Sequence, residues 1–181
     1  MNFNAVPSEK TKETLLQEKM EEVLRLLDRS NEGVDKKIIE TVAVLNLLNI
    51  PTCGSCEGHL DHGKTNPWVQ IVALNEPEKR WLDESAEEET PEYIEWDEEN
   101  KKLALMLINW IGEFYERQEP NRETQITFQR IGGLAGVLQS GPSEDVLEDF
   151  GSLEDETKPK RLKSKQEEMK RFTDFLKEKI K

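Results

Sequence analysis

Cys53, Cys56, His59 and His62 fall at a strict three-residue step, and the chain holds no other cysteine or histidine. Two thiols and two imidazoles are the donors that Zn²⁺ prefers, and a Cys₂His₂ set completes its tetrahedron. Cys53-x-x-Cys56 has the spacing of a thiolate knuckle, and His59 and His62 fit one side of a helical turn. The segment between the two pairs is shorter than in most structural zinc motifs, whose two turns face each other across the ion. A three-ligand site with an open position, completed by Glu57, Asp61 or a distant carboxylate, suits this loop better and is of the catalytic type. The expected metal set is Cys53, Cys56, His59 and His62, serving as a structural staple or as a hydrolytic centre with Glu57 as general base.

Two other chemistries fit the same residues. A Cys56 thiolate beside His59 could serve acyl transfer, and Cys53 and Cys56 could cycle as a dithiol. Gly54-Ser-Cys56-Glu-Gly58 has the spacing of a nucleophile elbow, but that motif needs a long doubly wound sheet and a histidine far downstream. The plainer alternative is a tight loop of glycines and small polar residues, with a buried cysteine and a histidine bonded to backbone. In a metal-free version, Ser55, Cys56 and His59, with Glu57 and His62 beside them, would bind a small polar molecule, or the loop would shape a protein-interaction module.

Ser55-Cys56-Glu57-Gly58-His59, preceded by Ile50-Pro51-Thr52 and followed by Pro67-Trp68-Val69, resembles a run in uncharacterised bacterial and phage proteins, where it lies between a helix and a strand. More distantly it is similar to the Ser-Cys-Ser-Gly-Arg run of the wybutosine-synthesis methyltransferase family, an α/β family acting on transfer RNA. Glu57 and His59 depart from that family's serine and arginine. What the resemblance implies is therefore confined to a Ser-Cys-x-Gly turn placed at a ligand site, without the methyltransferase activity.

The elements that must hold this loop can be read from periodicity. Leu15, Leu16, Met20, Val23, Leu24 and Leu27 recur at helical steps, predicting a helix from Ser8 to about Arg29 that ends near Gly33. Asp35 reads as the N-cap of a second helix reaching Leu48, with Ile38, Ile39, Val42, Leu45 and Leu48 inward; Pro51 stops it. A short strand around Thr52, the loop, and an apolar β-branched strand at Trp68 to Leu74 follow. A third helix is expected from a cap at Asp97 to about Arg117, with Leu103, Met106, Leu107, Trp110, Ile111 and Phe114 on one face. Thr124 to Ile131 alternates as a half-exposed strand, with Ile126 and Phe128 on one side and Thr127 and Gln129 on the other. Gly132 to Gly141 reads as a turn and a short strand or glycine-rich loop. Ser164-x-x-Glu167 reads as a capping box for a last helix with Met169, Phe172, Phe175, Leu176 and Ile180 on one face.

Composition sets the frame. A chain of 181 residues is enough for one core, and its charged share of 35 % equals its hydrophobic share, so some of it stays outside that core. From Glu76 to Asn100 twelve acidic residues face only Lys79 and Arg80, which reads as an exposed insertion anchored through Trp81, Tyr93, Ile94 and Trp96. Lys158 to Lys181 carries ten basic and four acidic residues, and packing through its apolar face is the expected role. The net charge of −13 weighs against wrapping nucleic acid or lying on an anionic membrane. No span of ~18 apolar residues occurs and the start lacks a signal-peptide pattern, so a cytoplasmic protein is expected. The expected architecture is α+β. Residues 8–141 form one domain of three helices on a small, mostly antiparallel sheet, with the acidic insertion at 76–100. A linker follows at 142–163 and a C-terminal amphipathic helix at 164–181.

Overall fold

Threonines open three of the helices in the computed structural model, which describes residues 10–27, 32–61, 65–77, 90–131, 135–142 and 156–181. Thr11 caps α1 (Lys12–Val23), its side chain accepting the Thr14 N–H. Thr90 caps α3 (Pro91–Tyr115) in the same way through the Tyr93 N–H, with Pro91 supplying the preset φ of a first turn. Thr157 precedes α4 (Lys158–Lys177), where Pro159 sits in the first turn. α2 (Ile39–Leu47) completes the four helices among the described residues. The strands are β1 (Thr52–Cys56), β2 (Trp68–Ile71), β3 (Ile126–Gln129) and β4 (Gly136–Ser140). All pair antiparallel in the order β1-β2-β4-β3. The α+β expectation, with its C-terminal helix, is met.

Register decides which side chains reach the core. Leu138 lies opposite Val69 and Phe128, and Ile71 lies two residues along from Val69, so these four share one sheet face with Ile126. That face joins Ile38, Ile39, Val42 and Leu45 at α2, Leu107 and Phe114 of α3, and Met169, Phe172, Phe175 and Leu176 of α4 in one cluster. Phe114 packs edge-on to Phe172 and tilted to Phe175, with ring centroids 5.2 and 5.5 Å away. The last helix is therefore part of the core. Buried Thr41 and Thr173 hydroxyls, 2.8 Å apart, tie α2 to α4 inside it.

Five local expectations change. The strand expected at Trp68 to Leu74 ends at Ile71, and Leu74 is exposed. α1 ends at Val23, because Leu27 leaves the helix and forms an isolated antiparallel bridge with Gly33, leaving Leu24 and Leu27 exposed. α3 begins six residues before Asp97, so the second half of the acidic segment is helical. Its Trp96 donates to Ala73 O at 3.0 Å, and fully buried Asn100 accepts the Ala73 and Ala135 N–H groups at 2.7 and 3.1 Å. α4 begins before Ser164, which lies inside the helix, so residues 158–163 are not linker. Finally, α2 has Ile38 as its N-cap with no side-chain cap bond; the Asp35 carboxylate is used elsewhere. Residues 78–89, with Trp81, and 143–155 lie outside the described residues, as does the Gly132–Gly133 turn.

Candidate metal centre

β1 is an edge strand, and its last residue, Cys56, is 9 % exposed. The chain must turn immediately after it. Gly58 takes φ +82°, and a Cβ there would stand 2.8 Å from both Leu162 Cδ1 of α4 and Thr65 O, so only glycine fits this turn. The turn brings the Gly58 N–H to within 3.3 Å of Cys56 Sγ and swings His59 back beside the strand end.

There it meets Asp35, from the segment entering α2. Asp35 Oδ2 accepts the Glu57 N–H at 3.0 Å and lies 3.1 Å from His59 Nε2. The carboxylate expected to cap a helix thus fastens the loop after β1. Glu57 returns the contact: its carboxylate accepts the Lys37 N–H at 2.9 Å, while Gln166 of α4 donates to the Glu57 carbonyl at 3.0 Å. Glu57, the expected general base, is instead a clamp between the loop and the start of α2. It lines a separate small depression with Asp35, Lys36 and Lys37, and not the cleft that holds Cys56 and His59.

Asp35, Cys56 and His59 place a carboxylate oxygen, a thiol sulfur and an imidazole nitrogen all within 4.8 Å of one another. Ligand atoms bound at ~2.0–2.3 Å around a tetrahedral ion lie ~3.3–3.7 Å apart, so this set needs little movement to close on an ion. The cluster sits in a cleft of about 590 Å³ lined also by Ser55, Trp68, Val42 and the exposed Leu26 and Leu27. Burial pushes the Cys56 thiol upward from its ordinary pKa, and the negative charges of Asp35 and Glu57 add to this against the pull of the Gly58 N–H. In the ion-free arrangement Cys56 is a thiol, with burial and the Asp35 and Glu57 charges working against its ionisation. A cysteine nucleophile needs the opposite, surroundings that lower the thiol pKa.

Of the four expected ligands, the structure brings Cys56 and His59 together. Cys53 is exposed at an irregularity of β1, where the register slips between Thr52 and Gly54, and it does not join the three-atom cluster. A Cys-x-x-Cys knuckle needs a turn, whereas three steps of extended strand carry the second cysteine ~10 Å from the first. His62 lies outside the described residues. Ser55 lines the cleft. Asp35 is the member that sequence reasoning missed: it is 21 residues before Cys56, and its position before an apolar helix reads as an ordinary cap.

Compared with known proteins, the chain matches no family model, no curated protein and no solved structure. Among the described residues no helix is long and apolar enough to cross a membrane.

Proposed function

We propose that Asp35, Cys56 and His59 bind one divalent metal ion of the Zn²⁺ class, and that the site is of the open, reactive kind. The observation that carries this reading is the convergence of three chemically different donors from separate segments on one point of a cleft wall. Mixed oxygen, sulfur and nitrogen ligands suit Zn²⁺, and three protein ligands leave a position for another molecule, where structural zinc sites are closed by four. An ion bound there would supply Lewis-acid polarisation of a substrate oxygen. The protein's own part is positioning: Asp35 holds His59 and the Glu57 amide, Gly58 sets the turn, and Gln166 and Lys37 fix the loop against α4 and α2. The Ser55-Cys56-Glu57-Gly58-His59 run that carries the resemblance to bacterial and phage proteins supplies two of the three ligands.

Metal content of untagged protein, measured by elemental analysis after zinc supplementation, tests this directly. Near-stoichiometric zinc is expected in the wild type, with loss in Asp35→Ala and His59→Ala. A wild type that takes up no metal would leave a metal-free ligand cleft as the reading of the same residues.

A further inference from the structure

β1 lies at the sheet edge, and the direction in which its backbone groups point follows from the register. Ser140 donates to Pro67 O at 3.1 Å, which makes Pro67 face β4; Val69 and Ile71, at steps of two, do the same. Trp68 and Gln70 therefore face β1 and bond Cys56 and Gly54, and Val72 donates to Pro51 O in the same direction. Ser55, between Gly54 and Cys56, must direct its N–H and C=O away from β2. Glu57, two residues on, points the same way, and there the Asp35 carboxylate accepts its N–H. Asp35 thus closes the end of the edge, while the Ser55 groups meet no partner among the described residues and open on the cleft.

We infer that the ligand of the metal cleft is an extended peptide chain, which adds as a strand to the β1 edge at Ser55 and so presents its backbone beside Asp35, Cys56 and His59. The inference deepens the metal reading by naming a ligand class. It rests on that reading for what the site does, but not for the docking itself. Main-chain pairing identifies the class: an outward N–H and C=O on one extended residue are complemented by the main chain of another strand. The cleft supplies room, and part of its lining is apolar, with Leu26 and Leu27 49 % and 60 % exposed. Exposed leucine side chains beside an open strand edge suit one apolar side chain of such a peptide. Among the described residues, the charged groups that line the cleft are Glu32 and Asp35, which favours an uncharged or basic segment over an acidic one.

The test uses a fluorescein-labelled, uncharged pentapeptide of alternating threonine, leucine and valine, and the same peptide with its central amides N-methylated. Binding is followed by anisotropy with the full chain, zinc-loaded and zinc-free. The plain peptide should bind saturably, and the N-methylated one about tenfold more weakly or worse, because methylation removes the donors an added strand needs. Ser55→Pro should weaken the plain peptide to the same degree while keeping its metal, since an outward N–H on an edge strand is where proline is tolerated. Leu27→Asp should weaken it as well. Equal binding of both peptides, or no saturable binding, would overturn the inference. So would an edge occupied by a second copy of the chain, seen as a sedimenting dimer that Ser55→Pro dissociates and the peptide does not. Peptide binding by a chain that takes up no metal would sustain the docking and sink the metal reading.

Discussion

Replacing Cys56 by serine while leaving Cys53, and the reverse, separates the two thiols in one experiment. Cys56 Sγ belongs to the three-donor cluster and is nearly buried, whereas Cys53 is exposed on the irregular part of the strand, outside it. Structural zinc sites with four ligands bind with apparent free energies of about 10–16 kcal/mol, or roughly 2.5–4 per ligand, so loss of one true ligand weakens binding by roughly 10²- to 10³-fold. Cys56→Ser should show that loss; the Ser Oγ can still accept the Gly58 N–H, so the fold should persist by circular dichroism. Cys53→Ser should stay within about threefold of wild type, the range of a surface substitution. Competition against a chromophoric zinc chelator reads both affinities. Because burial, Asp35 and Glu57 hold the Cys56 thiol protonated, the ion must displace a proton, and affinity should climb about tenfold per pH unit up to the raised pKa. Equal losses in Cys53→Ser and Cys56→Ser would refute the assignment and restore a thiolate knuckle.

The remaining expectations concern the ion-free chain. Iodoacetamide should modify Cys53 well before Cys56, since Cys56 is both buried and held in the unreactive thiol form; its labelling should set in only at a pH above the ordinary cysteine range. Faster labelling of Cys56 at neutral pH would contradict the electrostatics given for it. Gly58→Ala should destabilise by about 2–4 kcal/mol in urea unfolding, combining a positive φ with contacts of 2.8 Å to Leu162 and Thr65 O. A change below about 0.5 kcal/mol would mean that the turn holding His59 is not the constrained one described.

Most of the architecture was legible in the chain because it depends on local periodicity. The apolar step of Ile38, Ile39, Val42 and Leu45 identified the central helix, and the alternation of Ile126 and Phe128 with Thr127 and Gln129 identified the strand and its inward face. Where two local signals competed, the reading failed. Thr90-Pro91 is as good a helix start as Asp97, and a run of acids masked it; Pro159 in a first turn outweighed the capping box at Ser164. Tyr93 and Trp96, the expected anchors, then carry the early turns of α3 into buried contacts, whereas Ile94 stays exposed and the buried Asn100 carried no signal in the sequence.

The concentration of all thiols and imidazoles in one loop is a property of the sequence by itself, and it pointed to the stretch that contributes Cys56 and His59 to the candidate cluster. Which of them meet was decided only by the tertiary structure. A three-residue step brings donors together on a helix or turn and drives them apart on a strand, and the pairing of β1 with β2, which chose between the two, is a contact between distant segments. Asp35 reaches Cys56 and His59 for the same kind of reason. Packing of α2 beside the sheet edge closes a gap of 21 residues that no local spacing rule can measure, and turns a residue typed as a cap into the third donor.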